Sequence, residues 1–123
     1  MAGLRDELEA LRNRAQAGDP VAKFNMGVRY AQGQGVPQDF LEAARWYGAA
    51  ADQGDASAQF NLGLLFYQGQ GVERSLEYAF ELFRLAALQG DARARAGLDA
   101  VILELDADAR KRLLLEFPLP PAH

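Results

Sequence analysis

The residue types that do chemistry are few in this chain, and their spacing assembles no reaction centre. His123 is the single histidine and stands beside Pro121 and Ala122 at the end of the sequence, so neither a metal triad nor a general-base network can be built around it. Cysteine is absent, which excludes disulfide staples and thiolate nucleophiles. Glu77 and Glu81 lie one helical turn apart, yet without the apolar pocket that would raise one carboxyl pKa for acid catalysis. Gly33-Gln34-Gly35 and Gly69-Gln70-Gly71 have the glycine content of a phosphate-cradling loop, but neither follows a strand or continues into Gly-Lys-Ser/Thr. Arg110-Lys111-Arg112, with Arg93 and Arg95, makes the last third locally basic, as cations in late helical turns and on a solvated face do. Asn25 and Asn61 occupy equal positions on two helices; they are candidates either to clamp a ligand's backbone or to hydrogen-bond a neighbouring loop. No catalytic residue, metal ligand or cofactor site is expected, and the chain reads as non-enzymatic.

Half of the 123 residues are hydrophobic, enough to close one core without a metal or disulfide. The formal charge of -4 and pI near 4.9 run against a nucleic-acid footprint, which needs a basic face. Arg5, Asp6, Glu7 and Glu9 interrupt the stretch where a signal peptide would be apolar, and no run approaches the roughly 18 apolar residues of a membrane span. A cytoplasmic protein without membrane or nucleic-acid partners is the expectation.

What positions these residues is a repeat of 36 residues. Gly18, Gly54 and Gly90 fall in register, as do Asp19, Asp55 and Asp91, then Ala22, Ala58 and Ala94, then Met26, Leu62 and Leu98. Gly33-Gln34-Gly35-Val36 matches Gly69-Gln70-Gly71-Val72. Each unit reads as a helix pair. Asp19-Pro20 is a helix start, with an acceptor at the cap and a proline where the missing N–H costs nothing. The first helix ends near Gln32, where Gly33 can turn left-handed. After a short loop, Asp39 and Glu42 form a capping-box pair, and Ala43, Trp46, Tyr47, Ala50 and Ala51 trace one helical face to Gly54. The second unit repeats this with Ser75 as the cap, and the third is cut to one helix, about Ala92 to Leu105. Leu4, Leu8, Leu11 and Ala15 give a helix before the repeats, and another runs from after Asp106 to about Glu116. The expected layout is one domain over residues 1–117, with a capping helix at 4–18, repeats at 19–54 and 55–90, a half repeat at 91–106, a capping helix at 107–117, and an extended tail at 118–123.

Gly27 and Gly63 sit inside helices, where glycine costs about 1 kcal/mol relative to alanine. Recurrence at one register reads as close backbone approach, with Trp46, Tyr47, Phe66 and Phe83 filling the space between pairs. Neither unit buries its face alone, so stacking stabilises the whole.

Ala-x-Phe-Asn-Met/Leu-Gly, then Gly-Gln-Gly-Val, then an alanine-aromatic helix closing on Ala-Ala-x-Gln-Gly, resembles the Sel-1-like repeat, a relative of the tetratricopeptide repeat. Ala22, Phe24, Asn25, Met26, Gly27, Gly33, Gly35, Val36 and their counterparts from Ala58 carry the match. The resemblance implies an all-α fold: a right-handed α/α superhelix (α-solenoid) of two full helix-pair repeats with N- and C-terminal capping helices. It also implies an adaptor that gathers proteins into complexes, without cofactors. A cysteine-rich branch of the family hydrolyses β-lactams; its disulfide-locked repeats have no counterpart here, so that activity is not carried over.

In tetratricopeptide-like arrays ligands lie on the concave face made by the first helix of each pair. Carried over by the glycine register, that face holds Val21, Phe24, Val28, Ala31 and Gln32 in the first unit. The second offers Ser57, Phe60, Leu64, Tyr67 and Gln68, and the half unit offers Arg93, Ala96, Ala100 and Leu103. A peptide or protein segment is the expected ligand. Phe24, Phe60 and Leu64 have a second reading as plain core, and residues 117–121, preset as extended chain, are a candidate to occupy the groove themselves. The alternative function is a self-associating structural protein, with its tail in a groove or stacked end to end, and a monomer or weak homo-oligomer is the expected state.

Overall fold

The computed structural model describes residues 2–121; Met1, Ala122 and His123 lie outside, and with them the single histidine and the last two residues of the tail, as do the side chains of Ala2 and Leu4. Among the described residues there are seven helices and no strand: α1 (Ala2–Gln16), α2 (Pro20–Gln32), α3 (Phe40–Asp52), α4 (Ala56–Gln68), α5 (Leu76–Leu88), α6 (Ala92–Glu104) and α7 (Ala107–Glu116). No helix among them is long and apolar enough to cross a membrane.

Helix starts follow the sequence closely. Asp19, Asp39, Asp55, Ser75, Asp91 and Asp106 each sit in extended backbone at the N-cap, and each side chain accepts from amides in the first turn. Such caps satisfy donors that the helix leaves free. Only half of the expected capping box forms: Asp39 accepts from the Glu42 amide, while the Glu42 carboxylate turns to Arg45 at 2.9 Å. Gly33 and Gly69 end α2 and α4 in the left-handed region, at φ 68° and 69°, a conformation that costs glycine nothing.

Consecutive helices pair, α2 with α3 and α4 with α5, while α1 lies on α2 and α6 on α5; α4 also touches α6. The result is a right-handed α-solenoid with α2, α4 and α6 in one layer and α1, α3 and α5 in the other. Its core is a chain of linked clusters. Leu8, Leu11, Ala15, Ala22 and Met26 join α1 to α2. Ala43, Ala44, Tyr47 and Leu65 join α3 to α4. Phe80, Phe83, Leu98, Val101, Leu105 and Leu113 close the C-terminal end, each side chain of this size contributing about 1.5–3 kcal/mol on burial.

Gly27 and Gly63 do mark close approach, and the approaching group is an aromatic ring. A Cβ on Gly27 would stand 2.5 Å from the Tyr47 ring and one on Gly63 2.7 Å from the Phe83 ring. Gly97 meets the other side of Phe83, where a Cβ would lie 2.9 Å away. So Phe83 is held between two glycines of successive repeats, with alanines 79 and 86 fully buried beside it. Trp46 and Phe66, expected as fillers alongside Tyr47 and Phe83, are only half-buried.

At the truncated third unit no glycine is available to end α6, and Leu105 is extended. The Arg110 guanidinium replaces it, donating to the carbonyls of Ile102 at 2.9 Å and Leu105 at 3.0 Å. Arg112 pairs with Glu77 of α5 at 2.7 Å. The basic run is thus partly structural rather than merely solvated.

Candidate functional site

The positions carried over by the glycine register lie on α2, α4 and α6 on the side away from the buried stripe Ala22, Ala58 and Ala94. Val21 is 57% exposed and Leu103 79%, and Gln32, Gln68, Arg93 and Ala96 are also exposed. Phe24, Val28, Ser57, Phe60, Leu64 and Tyr67 are half-buried. Their inner edges reach the core: Phe24 stacks on Tyr47 and Phe60 on Phe83, each with ring centroids 5.7 Å apart. Each ring is thus core on its inner edge and partly exposed on its outer one.

Arg93 anchors the far end. Its guanidinium lies 4.5 Å from the Phe60 ring centroid and pairs with Asp91 at 2.9 Å. That bond is the main reason the Asp91 carboxyl is held below its ordinary pKa; burial opposes it and the Ala94 amide assists. An exposed cation over a ring is worth about 0.5–1 kcal/mol, and it lies against the Phe60 ring from the outer side.

A polar cluster beside Tyr67 was not visible from the sequence. Arg74 donates to the Tyr67 carbonyl at 2.8 Å, lies 5.5 Å from its ring centroid, and bonds Glu104 at 3.3 Å. The neighbouring Glu104 carboxylate also raises the Tyr67 pKa. The available signal was the register: Gln38, one repeat earlier, makes the same reach to the Ala31 carbonyl at 2.8 Å.

The two asparagines part company. Asn61 is half-buried beside the Tyr47 side chain, whose pKa burial raises and the neighbouring Asn61 amide lowers. Asn25 is exposed and lines a cleft of about 830 Å³ between α1 and α2, with Leu11, Arg14, Val28 and Arg29 among its walls.

The tail is extended, and it docks away from the groove. Phe117 packs on Phe80 at 6.4 Å between centroids, the Pro118 carbonyl accepts from Arg84 at 3.0 Å, and the Pro120 carbonyl accepts from Arg95 at 2.7 Å. Arg93 and Arg95 are one residue either side of buried Ala94. At 3.6 residues per turn they leave α6 on opposite flanks, so the tail and the Arg93 face are separate surfaces. Among the described residues no group of three or more His, Cys, Asp or Glu could hold a metal ion.

With this geometry in place, the chain can be set beside known proteins. The Sel1 repeat model matches residues 20–55 and 56–91. A Sel1 repeat protein from Oxalobacter formigenes is similar in structure at TM-score 0.69 and 36% identity, over 72% of this chain and 36% of that one. A protective antigen of uropathogenic Escherichia coli that displays an SLR fold is similar at TM-score 0.79 and 28% identity, over 94% of this chain and 29% of that one. The chain thus spans about a third of the length of these structures. None of the curated proteins matches it. Sel1 repeats generally mediate contacts between proteins, on a fold that is typically a non-catalytic scaffold. Two consecutive matches covering more than half of the residues, on a helix-pair stack with the glycine and aromatic register described above, show that the chain belongs to the Sel1 repeat family.

Proposed function

We propose that the chain is a non-catalytic interaction module whose α2–α4–α6 face binds an extended or helical segment of another protein. The observation that carries this reading is the pair Phe24 and Phe60: their inner edges are clamped on Tyr47 and Phe83 while their outer edges stay open, beside exposed Val21 and Leu103. Side chains held in one rotamer lose little entropy when a partner covers them, so such a face binds at low ordering cost. Contiguous apolar surface on a helical face usually has a partner. The absence of cysteine suits a reducing, cytoplasmic setting.

Leu103 and Ala96 are exposed and carry no packing duty, so Ala96→Glu with Leu103→Glu tests the face without harming the fold. Affinity purification from native lysate should recover a partner with the wild-type chain and with Leu115→Glu, a 76% exposed position on α7, but not with the double variant. Equal recovery by all three would place binding elsewhere. Self-association, the second reading, predicts a light-scattering mass above one chain at micromolar concentration.

A further inference from the structure

Residues 117–120 are Phe-Pro-Leu-Pro, and their contacts with α5 and α6 follow a simple pattern. The Phe117 ring lies on Phe80 at 6.4 Å between centroids, with the Arg84 guanidinium 5.4 Å from the Phe117 centroid. Arg84 Nε donates to the Pro118 carbonyl at 3.0 Å, and Arg95 Nη1 donates to the Pro120 carbonyl at 2.7 Å. Asp99 pairs with Arg95 at 3.4 Å and steadies it. Pro120 is buried, whereas Pro118 and Leu119 are exposed. The seat thus reads a ring, two alternate carbonyls and one proline, and leaves Leu119 facing outward. This combination belongs to the last step of the repeat alone. Phe80, Arg84 and Arg95 answer to Ala44, Gly48 and Gln59 one unit earlier, and to Leu8, Arg12 and Lys23 one unit before that. An aromatic ring and two guanidinium groups coincide only where the segment sits.

We propose that this flank of α5 and α6 is a binding site for an extended Phe-Pro-x-Pro segment of a partner protein, with the chain's own residues 117–120 as its resident competitor. What the site recognises is a ring, a proline and main-chain carbonyls, which any chain carrying that motif presents. Prolines limit the freedom the segment loses on docking. Extended chain of this kind makes no internal hydrogen bonds, so its carbonyls stay open to an outside donor, and guanidinium donors make such bonds stronger than neutral ones do. The cis segment is lightly held. Beyond the Phe117 amide, which donates to the Leu113 carbonyl at 2.8 Å, no backbone bond ties residues 118–121 to the rest of the described chain. The segment therefore opens without unfolding a helix. The site goes beyond the α2–α4–α6 face and lies on the other flank of α6 from Arg93.

The probe is a capped, fluorescent peptide with the sequence of residues 117–121, titrated into the full chain carrying Phe117→Ser and Pro120→Ser, which free the seat. The unlatched chain should bind at least about fivefold more tightly than the wild type, whose tethered segment competes at an effective concentration in the millimolar range. Arg84→Gln or Arg95→Gln in the unlatched chain should weaken binding about tenfold, the usual effect of one bond from a charged donor. Peptides with Phe117→Ala or Pro120→Ala should bind more weakly, and one with Leu119→Ser should lose less than either. No binding at millimolar peptide by an unlatched chain of unchanged helical circular dichroism, or equal affinity with and without Arg84, would overturn the proposal. The wild-type chain gives a second measurement that needs no substitution. Unlabelled peptide at about 10 mM, above the tether's effective concentration, should move the Phe117 and Leu119 amide resonances toward their random-coil positions, and stationary resonances would overturn the proposal too. A light-scattering mass of two chains that Arg84→Gln returns to one would give the seat to the tail of a second copy and overturn the partner assignment.

Discussion

The Gln89 side-chain amide donates to the Gly54 carbonyl at 2.9 Å, across 35 residues of sequence, and Gln53 makes the same bond to Gly18 at 2.9 Å. Each repeat is thus tied to the turn that closes the one before it. Gln89 does more, because its amide also donates to Gln59 Oε1 at 3.0 Å, and Gln59 is the one buried polar side chain among the described residues. Gln53→Ala should cost about 1 kcal/mol, one net hydrogen bond. Gln89→Ala should cost about 2 kcal/mol, since it also leaves a buried acceptor without a donor. Urea midpoints of the two variants check the order; equal losses would mean that Gln59 finds another donor.

Gly71 is the most constrained glycine. It has φ 73°, and a Cβ there would collide with the Phe40 carbonyl and the Leu41 amide, both backbone groups that cannot rotate aside. Gly54 has φ 91° with nothing near its Cβ direction. Gly71→Ala should therefore destabilise by about 3 kcal/mol, combining left-handed strain with overpacking, and Gly54→Ala by about 1 kcal/mol from the backbone conformation alone. Thermal unfolding of the pair measures the difference, and similar melting points would refute the packing of the second loop on α3.

These two positions also show where sequence reading stops. Helix starts and the repeat register were legible because Asp, Ser and Gly act within a few residues of themselves. The partners of Gly27 and Gly63 were not, although close approach was. Gly97 went unnoticed because the register directs attention to Asp99, whereas Phe83 is met from the next repeat at a different offset. Arg110 capping α6 leaves no periodic trace, since a long side chain reaching back to several carbonyls has no fixed spacing. The candidate face was legible as a set of positions. How deeply Phe24 and Phe60 sit depends on rings contributed by neighbouring helices.

Asp91 couples the start of α6 to pH. Its folded pKa is depressed, chiefly by the bond from Arg93. A depressed acid stabilises fully above its unfolded pKa, about 3.9, and the contribution is lost as pH falls through the folded value. Asp91→Asn keeps a good cap but removes the charge. Its stability deficit should be present at pH 6 and shrink toward pH 2; an unchanged deficit across that range would contradict the assigned role of the Arg93 bond.

The Tyr47 side chain of the first repeat has Asn61 of the second as its polar neighbour, and that amide lowers a pKa that burial raises. A double-mutant cycle with Tyr47→Phe and Asn61→Ala should give a coupling of about 1 kcal/mol, the net value of a partly buried hydrogen bond. Additive losses would mean that the hydroxyl and the amide do not interact.

Neighbouring helix pairs here stabilise one another rather than standing alone, and ending the chain at Gly90 asks this most directly. That truncation takes away Gly97 and Leu98, which cover one side of Phe83, and with them α7 and its buried Leu113. Followed by urea denaturation with helical circular dichroism, the shortened chain should lose stability throughout, with α2 and α3 unfolding at lower urea than in the whole protein, as nearest-neighbour coupling requires. A first repeat that melts at an unchanged midpoint would contradict the account.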